Sequence, residues 1–250
     1  MPTPQARPTR LLLVRHGETV WHAENRYAGV SDVALTDRGL RQADALGAWA
    51  VRRGVDAVAC SPLSRARRTA QPAADLLGHR PEVLPGLAEM DFGWAEGRTI
   101  EELSAEDADA VARFRADAVE GAWPGSEPPA AVAARAVDAL RQLADRHPGR
   151  TVLVVAHNTL LRIALCTLLG IPLGRYRHVL PRLDNAAVTE IEMAGGHTAL
   201  RSLNVPTGGG GGTGADPTAR GPREVRGARR ACPTDGVQPT DGADETDLTI

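Results

Sequence analysis

The sequence predicts an α/β fold, a three-layer α/β/α sandwich around a mostly parallel central sheet. Three observations carry that prediction. Short apolar runs at 11–14, 55–60 and 151–156 have the length and composition of buried strands. Amphipathic stretches of helical period separate them. Strand and helix patterns alternate along the chain, which calls for crossovers and helices on both faces of the sheet.

The first strand is the run Leu11-Leu12-Leu13-Val14, too short to span a bilayer. Thr36 is an N-cap with Asp37 in the first turn of a helix. That helix would bury Leu40, Ala43, Leu46, Ala50 and Val51 and stop at Gly54. Residues 55–60 form the second strand. Ser61-Pro62 then opens a helix with Ser61 as cap and Pro62 at its first position. That helix would run to Leu77, kink at Pro72 and end at Gly78. A short strand is expected at 82–85. Thr99 and Glu102 form a capping-box pattern that opens one or two Ala-rich helices reaching Gly121. A long helix follows with Val132, Ala136, Leu140 and Leu143 on its apolar face, ended by His147-Pro148-Gly149. Residues 151–156 are the clearest strand, and a helix spans about 159–169. Two final strands at 188–193 and 198–203 are joined by a Gly-Gly turn and include an antiparallel member.

Composition shifts divide the chain. Residues 1–9 are a short polar arm, and 10–205 carry the apolar patterning, with a cap segment at about 90–130. Residues 206–250 hold five consecutive glycines, a repeated Pro-Thr-Asp-Gly and almost no apolar side chains, which predicts a disordered Gly/Pro-rich tail. The net charge of −2 gives no general pull towards nucleic acid or membrane. All 29 basic residues are Arg. Three scattered cysteines fit neither a disulfide framework nor a zinc site, and Cys60 and Cys166 sit in apolar runs as small core residues. The N-terminal stretch lacks the apolar core of a signal peptide, so a cytoplasmic protein is expected.

Three polar clusters each follow a buried strand: Arg15-His16, Ser61 with Arg65, and His157-Asn158. In a parallel sheet these strand ends lie along one edge, where α/β folds bind ligands. Two Arg forks suit the non-bridging oxygens of a phosphoryl group. An unprotonated His16 can attack phosphorus, and the Arg charges would lower its pKa. His157 as an imidazolium could stabilise the developing charge, and Glu89 could exchange protons with the leaving group and water. With guanidinium and imidazolium present, the constellation requires no metal or other cofactor. Glu18 is expected to orient the Arg15 loop and Trp49 to pack in the core. No GxGxxG follows the first strand, which argues against dinucleotide binding.

These residues carry a resemblance. Arg15-His16-Gly17-Glu18-Thr19, Ser61-Pro62-Leu63 with Arg65-Ala66, Glu89 with Phe92-Gly93 and Glu96-Gly97, Gly125-Ser126-Glu127, and Val155-Ala156-His157 are similar in type and order to the histidine phosphatase superfamily, branch 1, the phosphoglycerate-mutase-like family. The resemblance covers roughly residues 10–205. It implies His16 as nucleophile, Glu89 as proton donor, and Arg15, Arg65 and His157 as phosphate ligands, with the backbone N–H of Asn158 reaching the same phosphate. At position 22 the family usually has Asn, whose side chain contacts phosphate. Here it is His22, which can also donate but is bulkier, and it is expected to contact the phosphate in the same way.

The expected activity is metal-independent hydrolysis of a small phosphomonoester, a sugar phosphate or similar metabolite, through a phosphohistidine. The alternative is a cofactor-dependent phosphoglycerate mutase. Ten acidic residues against three Arg between Met90 and Ala130 suit a polyanionic bisphosphate badly and favour the phosphatase. A non-catalytic phospholigand-binding module is a further alternative, which would predict a defective site.

Overall fold

Strands β1 (Thr9–Arg15), β2 (Ala57–Cys60), β3 (Glu82–Val83), β4 (Thr151–Ala156), β5 (Val188–Ala194) and β6 (His197–Val205) form one sheet in the computed structural model. Their order is β3-β2-β4-β1-β5-β6. The model describes residues 7–208; most of the polar arm and of the Gly/Pro-rich tail lies outside the described residues. The β1/β4, β2/β4 and β2/β3 pairs are parallel. The β1/β5 and β5/β6 pairs are antiparallel. The sheet is therefore parallel on one side of β1 and antiparallel on the other, as the final hairpin pattern predicts.

Alternation along β1 divides the core between two faces. Leu12 and Val14 pack with α1 (Asp37–Arg53) and α2 (Ser64–Leu77), through Leu46, Ala50, Ala66 and Ala70. Leu11 and Leu13 face a larger cluster with α5 (Pro129–Arg146) and α6 (Asn158–Leu168). That cluster extends to Tyr27, Phe92, Phe114 and Trp123, beside α3 (Ile100–Glu106) and α4 (Ala108–Ala116). Phe114 stacks on Trp123 with ring centroids 4.1 Å apart. A last short helix, α7 (Tyr176–Val179), precedes β5. Among the described residues no helix is long and apolar enough to cross a membrane.

Several local expectations are met at the cap residues. Thr36 accepts from the Gly39 N–H, and Gly54 closes α1 in the left-handed region. Both hydrogen bonds of the Thr99/Glu102 capping box are present. Two expectations need correction. Leu40 and Val51 are 40% and 46% exposed, and α1 instead buries Gly39, Gln42, Ala43, Leu46, Gly47 and Ala50. The reason is close approach to α2: a Cβ on Gly47 would lie 3.0 Å from the Pro72 carbonyl carbon. Small residues therefore line the contact around Gly47, with Leu46 and Gln42 buried beside them and Leu40 and Val51 left at the flanks. Ser61 is not a helix cap either. Helix α2 starts later, at Ser64, with Leu63 at its cap position and Pro62 ahead of it; Ser61 Oγ accepts from the Leu63 N–H at 3.2 Å and lies 2.7 Å from His157 Nε2.

Candidate active site

The parallel register places three of the predicted clusters side by side. Arg15 pairs with Ala156 and Cys60 with Val155, so Arg15-His16, Ser61 and His157 emerge at the carboxyl ends of adjacent strands. The His16 N–H bonds to the Ala156 carbonyl at 3.0 Å, and the His16 and His157 rings lie 5.2 Å apart by centroid. All of Arg15, His16, Ser61, Arg65, Glu89, His157 and Asn158 are buried.

Two contacts fix the His16 tautomer. Its Nδ1 lies 2.8 Å from the Gly17 carbonyl, which can only accept, so Nδ1 carries the proton. Its Nε2 receives the Nε–H of Arg65 at 3.3 Å and must present a lone pair. Burial first, then His157, Arg65 and Arg15, hold the His16 pKa well below the usual imidazole range. The ring is neutral with Nε2 bare. Gly17 allows this turn: a Cβ there would sit 2.6 Å from the Gly39 carbonyl oxygen. Glu18 accepts from Thr36 Oγ1 at 2.9 Å and from Arg38 at 3.0 Å, fastening the loop to α1.

Arg65 lies in the first turn of α2, as its place after the strand suggests. Its far nitrogens donate to the carbonyls of Ser31 at 2.7 Å, Ala28 at 2.8 Å and Gly29 at 2.6 Å. Arg15 donates from Nη1 to the Leu183 carbonyl at 3.0 Å, and its Nη2 lies 2.9 Å from His22 Nε2. Guanidinium can only donate, so His22 Nε2 accepts; His22 Nδ1 lies 3.0 Å from the Thr19 backbone N–H, which points at it, and 2.8 Å from Thr19 Oγ1. Burial and the Arg15 charge push the His22 pKa down to about 3. Both ring nitrogens of His22 are thus engaged within the chain.

His157 Nε2 is 2.7 Å from Ser61 Oγ, and its Nδ1 is buried without a partner. Burial, Arg65 and Arg15 hold its pKa well below the usual range. Burial first, then the neighbouring guanidiniums, disfavour the imidazolium form that the sequence leads one to expect. Asn158 is the first residue of α6. Its Oδ1 accepts from the Leu183 N–H at 3.0 Å, and its Nδ2 is buried without a partner.

Glu89 is 4% exposed and docks on the amino end of α6. Its Oε1 accepts from the Met90 and Leu160 N–H groups at 2.9 and 2.8 Å, and Oε2 accepts from Thr159 at 3.0 Å. Burial raises its pKa, and these three hydrogen bonds oppose the rise. Oε2 bears the lighter load and is the oxygen open to a proton.

The structure brings all seven predicted residues to one end of the sheet. It adds others that sequence reasoning did not single out. Asn185 Nδ2 donates to the His16 carbonyl at 2.7 Å and lies 3.2 Å from His22 Nε2. The carbonyls of residues 28–31 and 183 hold the two arginines. Backbone acceptors leave no trace in residue type; only Asn185, a polar residue just before the apolar β5, carried a usable signal. Among the described residues no group of three His, Cys, Asp or Glu could hold a metal ion.

Comparison with known proteins gives the chain a family. The model of the histidine phosphatase superfamily (branch 1) matches residues 11–206. A probable phosphoglycerate mutase of Erwinia tasmaniensis is 34% identical over 73% of this chain and 84% of its own. Phosphoserine phosphatase 1 of Hydrogenobacter thermophilus is 30% identical over 78% of this chain and 92% of its own. A mycobacterial glucosyl-3-phosphoglycerate phosphatase, solved with VO3, superposes with a TM-score of 0.72 at 27% identity, covering 78% of this chain and 99% of that one. With that span matched and the fold shared, the chain belongs to branch 1 of the histidine phosphatase superfamily.

Proposed function

We propose that this chain hydrolyses small phosphomonoesters through a phosphohistidine formed on His16 Nε2, as a phosphatase of its family. The observation that carries the reading is the fixed tautomer of His16, with a bare, buried nitrogen facing an arginine. Arg15 and Arg65 bind the non-bridging oxygens. His157 Nδ1 and the Asn158 backbone N–H complete the anion cradle. A bound phosphoryl dianion would supply the negative charge that lets His157 take up a proton. We assign His22 the task of holding Arg15 in place, since its ε nitrogen is already spent on that guanidinium.

In the first step Nε2 forms a bond to phosphorus as the ester P–O bond breaks. Glu89, protonated on Oε2, gives its proton to the departing alkoxide. In the second step Glu89 takes a proton from water while the water oxygen attacks phosphorus. The P–N bond breaks and its electron pair returns to Nε2. Guanidinium and imidazolium supply the positive charge that the transferring group needs.

The named phosphatase relatives and the acidic 90–130 segment support a small metabolite as substrate. The E. tasmaniensis relative favours a second reading, phosphoglycerate mutase. We take 90–130 as the segment that selects the substrate. Cys60 and Cys166 are free and buried, which fits a cytoplasmic protein.

Turnover quenched in alkaline denaturant should leave phosphate covalently bound to the wild-type protein. The His16→Ala variant should lose that label and on the order of 10³-fold or more in activity. A fully active His16→Ala variant would overturn the mechanism. Phosphate release from a panel of monoesters, beside 3- to 2-phosphoglycerate interconversion, decides between the readings. Isomerisation without phosphate release selects the mutase.

A further inference from the structure

Arg65 is fully buried, and three of its hydrogen bonds end on the carbonyls of one irregular loop, residues 28–31. Such a loop has no ladder to hold it, so its position needs another cause. Glu96 supplies one. Its Oε1 accepts from the Val30 N–H at 3.2 Å and the Phe92 N–H at 3.1 Å. Its Oε2 accepts from Ser31 Oγ at 2.6 Å. The fit leaves no spare room: a Cβ on Gly29 would lie 1.9 Å from Glu96 Oε1 and 2.4 Å from the Met90 carbonyl oxygen.

We propose that Glu96 is a positioning residue for Arg65: its carboxylate pins the 28–31 loop, whose carbonyls aim the Arg65 guanidinium at His16 Nε2. This rests on the reading of His16 as nucleophile and Arg65 as phosphate ligand. The line of contacts runs Glu96, then Val30 and Ser31, then the loop carbonyls, then Arg65, then His16. No step in it touches substrate before Arg65, and Glu96 itself takes no part in proton transfer.

A role through Arg65 has a consequence that mere loop packing lacks. His16 is faced by His157, Arg65, Arg15 and His22, with the Gly17 carbonyl on Nδ1 and Glu89 at the same strand ends. The Arg65 charge disfavours protonation of His16. If the guanidinium drifts away, the His16 pKa rises and the acid limb of kcat/KM moves to higher pH.

The experiment measures the kcat/KM pH profile on p-nitrophenyl phosphate, inhibition by orthovanadate, and the melting temperature. Glu96→Ala should lose about 100-fold in kcat/KM, the scale of a displaced catalytic contact. It should bind vanadate more weakly and show the raised acid limb. Glu96→Gln keeps Oε1 for Val30 and Phe92 and can donate to Ser31. It should stay within about tenfold of wild type, the weight of one altered hydrogen bond. Ser31→Ala removes only the partner of Oε2 and should move the same readouts in the same direction, by less. It remains informative if Glu96→Ala does not fold. An unchanged acid limb and unchanged vanadate inhibition in a folded Glu96→Ala or Ser31→Ala protein would overturn the proposal, whatever happens to the melting temperature. His16→Ala, assayed beside them, separates the levels. Activity there overturns the reading of the site itself, whereas an inactive His16→Ala with unaltered Glu96 variants overturns the brace alone.

Discussion

In the mechanism we propose, Glu89 must release a proton and later take one back, which needs a pKa raised towards the working pH. Burial pushes its pKa up, while the N–H groups of Met90, Leu160 and Thr159 keep the carboxylate from being prohibitively costly. Because its pKa is raised, the protonated form needed for the first step is lost as pH climbs through it. The basic limb of kcat should therefore report Glu89. Glu89→Gln keeps Oε1 on Met90 and Leu160 but carries no exchangeable acid. It should lose about 10²–10⁴-fold on alkyl phosphates, the usual share of a general acid, and far less on p-nitrophenyl phosphate, whose leaving group needs no proton. Comparable losses on both esters would mean that Glu89 shapes the site without protonating the leaving group. The contrast with Glu18 is instructive. Both are carboxylates in irregular stretches, yet Glu18 faces Thr36 and Arg38 at the surface of α1, and only Glu89 is enclosed.

At the scale of elements, helix α1 holds the His16 loop by contact of backbone on backbone. A Cβ on Gly39 would lie 2.1 Å from the Glu18 carbonyl oxygen, two residues from His16. Gly39→Ala should therefore cost about 1–3 kcal/mol, as overpacking does, and lower kcat/KM as well. Gly78 makes the control. It closes α2 at φ 69° with nothing near its missing Cβ. Gly78→Ala should cost about 1–2 kcal/mol from its left-handed backbone and leave kcat/KM unchanged. Denaturation curves and steady-state rates on the two variants check this, and equal effects on activity would refute the coupling. These glycines also mark what could be read in advance. Helix ends at Gly54 and Gly78 were legible because a stop signal is local. The buried face of α1 was not, because the depth of its contact with α2 depends on a partner elsewhere in the chain. Leu40 and Val51 match the period of that face and still lie outside it.

Across the whole molecule, the sequence could place each half of the site at a strand end but not the acceptors that orient it. His16, Arg65, Glu89 and His157 are visible as residue types after apolar runs. The carbonyls that aim Arg65, the Ser61 hydroxyl on His157 and the Leu183 strap belong to tertiary structure alone. Together they leave the sheet edge with an excess of positive charge. Burial lowers the Arg15 pKa to about 10 and that of Arg65 below its ordinary value, and Glu89 is the strongest opposing charge for both. In a fold that keeps two guanidiniums buried beside two imidazoles, anion binding should appear as stability. Orthovanadate at about 100 times its Kd should add roughly 2.7 kcal/mol to the folded state. For a domain of this size that is a rise of roughly 5–10 °C in melting temperature. Sodium chloride at matched ionic strength should not reproduce it, since screening acts on exposed charges and not on this buried set. Arg65→Met should melt with a much smaller vanadate shift, because the protein has lost one of the two forks that we propose hold the anion. An equal shift in wild type and Arg65→Met would place the anion away from these strand ends.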